Sequence, residues 1–262
     1  MKLKIYQVDA FSDKIFSGNP AAVCPLKEWL PDGIMQNIAL ENNLAETAFY
    51  VNHGDRYEIR WFTPTVEVDL CGHATLASAH VLFKHEGYAG NRISFYSPRS
   101  GILKVSKDND LLTLDFPADT IHKIDWPTEN LAGFNQVPVE AYRGKTDYML
   151  VFDSEDKIKN LEPNYTVISA WKVRGVIVTA KGNQVDFVSR FFAPQSGVNE
   201  DPVTGSAHTT LTPYWSEKLG KAGLSAIQLS PRKGYLQCKN LGTRVEISGH
   251  ARTYLTGEII TE

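Results

Sequence analysis

Four side chains in this sequence have the chemistry to move a proton: Glu46, His73, Asp201 and Cys71. Glu46 stands in the run Asn42-Asn43-Leu44-Ala45-Glu46-Thr47-Ala48-Phe49-Tyr50, at the mouth of an otherwise uncharged strand. Apolar neighbours raise a carboxylate's pKa by desolvation, which suits a general base working near neutrality. The bland alternative is an exposed strand-end carboxylate. Asp201 lies in Asn199-Glu200-Asp201-Pro202, just ahead of a glycine turn. There it orients or protonates a ligand, or it simply makes a surface turn. Cys71 near a helix start would have a lowered pKa; as a small buried hydrophobe it needs no chemical role. His73 hydrogen-bonds a substrate, passes a proton, or only packs.

These residues cluster at two glycine turns, Leu70-Cys71-Gly72-His73-Ala74-Thr75 and Val203-Thr204-Gly205-Ser206-Ala207-His208. A glycine entering a helix lets backbone N–H groups converge on an anion, and the helix dipole adds favourable potential. Alone, each glycine merely lets a strand turn into a helix. The two turns, however, occupy matching places in an internal repeat. Ser97-Pro98-Arg99-Ser100-Gly101 recurs as Ser230-Pro231-Arg232-Lys233-Gly234 at an offset of 133 residues, which also carries Gly72 onto Gly205, Cys71 onto Thr204 and His73 onto Ser206. Arg60-Trp61-Phe62-Thr63-Pro64 recurs as Arg190-Phe191-Phe192-Ala193-Pro194 at an offset of 130, so the second copy has three extra residues before its turn. The period is too long for a solenoid unit. It implies two similar half-domains with a site built from both. Paired turns favour an anion cradle over two coincidental glycines. Ser206 as a plain helix cap is the competing reading.

The elements that must position these residues follow from hydrophobic periodicity. Lys4 to Val8 alternates as a strand, Pro31 to Leu40 is helical, and Thr47–Val51 with Tyr57–Phe62 form a hairpin through Asn52-His53-Gly54-Asp55. Ala74 to His85 is a helix apolar almost all round, hence buried. Ile102–Val105 and Leu111–Phe116 make a second hairpin. In the second copy, Val176–Thr179 and Val185–Phe192 are strands, a helix begins at Ser206, and Leu236–Lys239 with Arg244–Ser248 repeat the late hairpin. Pro213 is expected to kink or shorten the second helix by removing a backbone donor. The division falls at a polar stretch from Ala118 to Asn130, giving halves 1–118 and 119–262, the last strand crossing back to the first half.

With 262 residues, 42% hydrophobic and 22% charged, the chain suffices for two cores. A net charge of −3 without basic blocks argues against nucleic acid or an anionic membrane as main partner. No stretch approaches a transmembrane span, and the N-terminus reads as a strand rather than a signal peptide. Three cysteines in no metal-binding spacing suit a cytoplasmic setting. His73 and His80 share a helix but find no close third ligand, so no metal site is expected.

Gly18-Asn19-Pro20, Asn42 to Phe49 (NNLAETAF), Glu67 to Thr75 (EVDLCGHAT) and Asn199 to His208 (NEDPVTGSAH) together resemble the PhzF phenazine-biosynthesis-like family, in order and along essentially the whole chain. The resemblance implies an α+β, diaminopimelate epimerase-like fold: two pseudo-symmetric halves, each a curled, mostly antiparallel sheet around a central helix. It implies a homodimer that needs no cofactor, with Glu46 as catalytic acid/base and Gly72, His73, Asp201, Gly205 and Ser206 lining the pocket. Asn19, Thr204 and Cys71 join them as substrate-binding candidates. The implied activity is a proton-moving isomerisation of a small carboxylate. Related epimerases use two thiols at the positions of Cys71 and Thr204. Only one thiol is present here, which argues against two-thiol racemisation. An amino- or hydroxy-acid epimerase using Cys71, and a non-catalytic binding module, stand as alternatives.

Overall fold

The computed structural model describes residues 1–261; Glu262, the end of the second expected half, lies outside them. It divides into two compact units, Met1–Asp115 together with the chain from Ser248 onward, and Phe116–Ile247. The first unit contains β1 (Lys2–Ala10), β2 (Asn19–Leu26), α1 (Asp32–Asn42), β3 (Glu46–Asn52), β4 (Tyr57–Phe62), β5 (Glu67–Val68), α2 (Gly72–Lys84), β6 (Arg92–Ser97), β7 (Gly101–Asp108) and most of β8 (Leu111–Pro117). The second contains β9 (His122–Ile124), β10 (Glu140–Arg143), β11 (Asp147–Val151), α3 (Glu155–Lys159), α4 (Tyr165–Ser169), β12 (Gly175–Lys181), β13 (Phe187–Phe192), α5 (Gly205–Leu219), β14 (Gly223–Gln228), β15 (Gly234–Asn240) and most of β16 (Arg244–Gly249), with short 3₁₀ turns at Thr128–Gly133 and Pro194–Ser196. The last strand, β17 (Ala251–Ile260), pairs antiparallel with β1 from Lys2↔Ile260 to Ala10↔Ala251.

Within the first unit the ladder from β1 to β7 runs antiparallel (β1–β2), parallel (β2–β3), antiparallel (β3–β4), parallel (β4–β6) and antiparallel (β6–β7). The second unit repeats this sense by sense: β10–β11 antiparallel, β11–β12 parallel, β12–β13 antiparallel, β13–β14 parallel, β14–β15 antiparallel. The repeat read from the sequence is therefore a repeat of topology. Each unit is a mixed, mainly antiparallel sheet with one long helix, α2 or α5.

A side-chain device is repeated as well. Arg60 forks onto Glu67 through Nε–Oε1 at 2.7 Å and Nη2–Oε2 at 2.8 Å. Arg190 forks onto Glu200 with the same atoms at 2.7 and 2.9 Å. Each guanidinium also lies over the phenylalanine two residues on, Phe62 or Phe192. Bidentate arginine–carboxylate pairs are the strong, directional kind. Each ties a strand to the segment leading into its long helix.

The helix α2 is buried from His73 to Leu82 without interruption. Its buried hydroxyls are satisfied inside the helix: Thr75 donates to the Cys71 carbonyl at 2.6 Å and Ser78 to that of Ala74 at 2.8 Å. The sheet's other face in the first unit carries α1, whose Met35, Ile38 and Ala39 pack on Ala22, Cys24, Phe49 and Phe62. In the second unit Ile158 of α3 and Ile168 of α4 pack with Trp171, Val176 and Phe192. The helix α5 is not shortened at Pro213, contrary to expectation; it runs unbroken to Leu219. Pro213 removes the N–H that would bond the Thr209 carbonyl, and the backbone N–H of Asp119 occupies that acceptor at 3.2 Å. Among the described residues no helix is long and apolar enough to cross a membrane.

Gly18 sets the turn that delivers Asn19. Its φ is +71°, and a Cβ there would meet the Ala10 carbonyl oxygen at 2.2 Å. Gly54 also has a positive φ, +91°, but open space around its Cα. Gly18→Ala is expected to destabilise by at least about 2 kcal/mol, the strained backbone and the carbonyl clash acting together, and Gly54→Ala by about 1 kcal/mol. Urea midpoints of the two variants test the ordering.

Candidate active site

In the first unit the fold gathers Asn19, Glu46, Cys71, Gly72 and His73. Glu46 opens β3, opposite Ala21 in the parallel ladder with β2. Just ahead of it Asn43 takes the left-handed conformation that ends α1, and Asn42 Nδ2 donates to Thr47 Oγ1 at 3.1 Å. These contacts hold the mouth of the strand, leaving the Glu46 side chain 18% exposed. Cys71 and Gly72 start α2, and His73 follows in its first turn.

His73 is buried, 4% exposed. Its Nδ1 accepts from Asn19 Nδ2 at 3.2 Å and lies 3.4 Å from Cys71 Sγ. With Nδ1 as acceptor, the ring proton resides on Nε2, which sits 3.3 Å from Glu46 Oε2. Burial depresses the imidazole pKa to about 3, so the ring stays neutral. Glu46 and His73 are thus a carboxyl group and a neutral imidazole in contact, not an ion pair, and the 3.3 Å approach does not meet hydrogen-bond geometry. One oxygen of Glu46, the sulfur of Cys71 and a nitrogen of His73 also lie within 4.8 Å of one another, a donor set able to hold a thiophilic divalent ion. The sequence-based argument against a metal weighed His73 with His80. The fold pairs His73 with Cys71 and Glu46 instead.

In the second unit the fold gathers Asp201, Thr204, Gly205 and Ser206 around α5. Thr204 Oγ1 donates to Asp201 Oδ2 at 2.5 Å. Gln228 Oε1 accepts from the Thr204 backbone N–H at 2.8 Å, while its Nε2 donates to the Asp201 carbonyl at 2.8 Å. Ser206 accepts from Arg174 Nη1 at 2.9 Å, and Arg174 forks onto buried Asp147. Ser206 is therefore not the helix cap: the N-cap residue is Thr204. In neither α2 nor α5 does the N-cap side chain hydrogen-bond the helix's first turn. Of the acids preceding the turns, Glu67 and Glu200 are engaged by Arg60 and Arg190.

Three residues that build the second cluster, Asp147, Arg174 and Gln228, carried no motif. Gln228 had a faint signal, a polar residue at the inward position of an alternating strand, beside buried Leu224 and Ala226. Asp147 and Arg174 meet across 27 residues and left no local trace.

Comparison with known proteins places these clusters in context. The family model for phenazine biosynthesis-like proteins matches residues 8–257. The chain belongs to that family. It is 51% identical to an uncharacterised isomerase of Pseudomonas aeruginosa over 99% of both chains, and 46% identical to another of Halalkalibacterium halodurans with the same coverage. A crystal structure of a PhzF-family protein from Enterococcus faecalis superposes with a TM-score of 0.97 at 46% identity, covering the whole of both chains. The expected family and its fold are thereby shown.

The buried imidazoles generate a test. His73, His80 and His208 are held neutral by burial, with pKa values lowered to about 3, 4 and 4. The unfolded chain protonates them near pH 6.5, so stability present above that pH is lost as pH falls toward 4. Imidazole ¹⁵N spectra between pH 8 and 5 should show the three rings unchanged, and a His73 ring titrating near 6.5 would contradict the assignment.

Proposed function

We propose that this protein is a cofactor-independent isomerase that moves a proton on a small carboxylate substrate, with Glu46 as the general acid/base. The observation that carries the reading is the neutral, buried His73, whose Nε2 lies 3.3 Å from the largely buried carboxylate of Glu46 at the first turn of a thirteen-residue helix. The relatives named as isomerases support the class of reaction.

In this reading Glu46 takes a proton from a carbon made acidic by an adjacent conjugated carboxylate. The electron pair left on carbon delocalises onto the carboxylate oxygens. Backbone amides and the dipole at the start of α2 stabilise that charge, an arrangement whose donors are fixed before reaction. The protonated Glu46 then returns the proton to a different carbon of the same conjugated system, so no net proton is gained or lost. His73 Nε2–H steadies the Glu46 anion, and Asn19 keeps the ring in that tautomer. The second turn, with Gly205, Ser206 and Asp201, is assigned to substrate binding and orientation. A cytoplasmic homodimer belongs to the same reading, and the three cysteines, none in a disulfide, suit it.

A second reading, epimerisation with Cys71 as a partner acid/base, draws on the thiol 3.4 Å from His73 Nδ1. Cys71→Ser separates the two: full activity in that variant removes the thiol from the chemistry. The primary test is solvent-deuterium exchange into candidate carboxylates. Glu46→Gln is expected to lower kcat by a factor of about 10² to 10⁴ with an unchanged fold. Full activity in Glu46→Gln sinks the mechanism. No exchange into any acid of a broad metabolite panel by the wild-type protein favours a binding module.

A further inference from the structure

Among the described residues one group of three metal-ligating side chains is drawn together. Glu46, Cys71 and His73 each place a ligand atom within 4.8 Å of the other two. They arrive from two elements: Cys71 caps the start of α2 with extended backbone, His73 follows in the first turn, and Glu46 opens β3. The Cys71 side chain makes no hydrogen bond to the helix it caps. Its sulfur lies 3.4 Å from His73 Nδ1. Two donors on one tetrahedral ion, with bonds of about 2.0–2.3 Å, stand roughly 3.3–3.6 Å apart. The sulfur and the ring nitrogen are already at that spacing. A side-chain rotation at the more exposed side of the group brings the Glu46 carboxylate the rest of the way.

The donor types select the ion. A thiolate with an imidazole suits zinc and cadmium. Calcium and magnesium demand a full shell of oxygen ligands, and this group offers one carboxylate. As the sulfur–metal bond forms, the thiol gives its proton to solvent. Thiolate and carboxylate then cancel the charge of a divalent ion, so a largely buried group takes up no net charge. For the same reason the positive end of the α2 dipole does not repel the assembly. Burial sets the entry path. Cys71 and His73 are 6% and 4% exposed and the Glu46 side chain 18%, so the ion enters past the carboxylate, and water completes its shell on that side. His73 Nδ1 accepts from Asn19 Nδ2 at 3.2 Å, a single neutral hydrogen bond that the ion displaces. The proton on Nε2 stays where it is.

We propose that Glu46, Cys71 and His73 form a binding site for a thiophilic divalent cation of the zinc type, held by Cys71 Sγ, His73 Nδ1 and one Glu46 oxygen. The ion is no cofactor of the isomerisation. It ties up the general base, so under the isomerase reading it is an inhibitor; the binding itself does not depend on that reading.

The test uses the full chain, stripped of metal with EDTA, and cadmium chloride as the probe. Cadmium bound to a thiolate gains an ultraviolet charge-transfer band, so the spectrum reports the sulfur directly. The band is expected to saturate at a single ion per chain, with zinc competing it away and magnesium leaving it unchanged. Backbone amide shifts of the wild-type protein should change most at Cys71, Gly72, His73 and Glu46, which locates the ion without any variant. Cys71→Ser, its fold checked by circular dichroism, should lose the band. Glu46→Gln should keep the band and bind cadmium at least about tenfold more weakly. The proposal is overturned if no band forms at millimolar cadmium, if the band survives Cys71→Ser, if the shifts centre away from the first turn of α2, or if Glu46→Gln binds cadmium as tightly as wild type. A wild-type protein that binds cadmium in this way but exchanges no deuterium into any acid removes the isomerase reading and leaves the site in place.

Discussion

A helix apolar on every face has to be covered on every side, and α2 is such a helix. A flat sheet covers one stripe, so the chain must curl its strands to bury His73 through Leu82. The polar atoms carried into that interior are answered from within, as Thr75 and Ser78 do for α2. In the second unit the same demand falls on α5, where Asp119 supplies the backbone bond that Pro213 leaves open. Once the helix axis is fixed by burial, the position of its first turn is fixed as well. Everything proposed for catalysis is arranged about that point: Cys71 and His73 on the helix, Asn19 and Glu46 on adjoining parallel strands.

The two copies share their framework and part company at the reacting positions. Both keep an arginine–glutamate fork leading into the long helix, at Arg60–Glu67 and Arg190–Glu200. At the turns themselves, His73 faces a carboxylate while its counterpart Ser206 is held by Arg174, and Cys71 is matched by Thr204, which bonds Asp201. The first turn sets an imidazole beside a carboxyl group, the second a guanidinium beside a hydroxyl.

Much of this was legible in the sequence because the signals were local or periodic. The all-round apolar pattern at Ala74–His85 announced a wrapped helix, and the constant offset announced the repeated ladder. Asn19, Glu46 and His73 stood in recognisable motifs and do converge. What escaped notice was set by distance along the chain. Asp147 and Arg174 meet only because β11 and β12 lie side by side, and Gln228 matters only because β14 brings it under the α5 turn. Pro213 misled for a related reason: local propensity predicts a broken helix, whereas a tertiary donor makes the unbroken one affordable.

The pairing of β17 with β1 has a consequence for the order of events during synthesis. Of the strands described, β1 is made before the others, yet its antiparallel neighbour, aligned with it from Lys2↔Ile260 to Ala10↔Ala251, is made after them. The loop to be closed takes in the whole of the second unit, a contact of very high sequence separation. On the ribosome the second unit therefore has all its strands before the first has its final one. The half that carries Glu46 and His73 is begun first and finished last, and until then β1 offers an unpaired edge of the sort that chaperones cover.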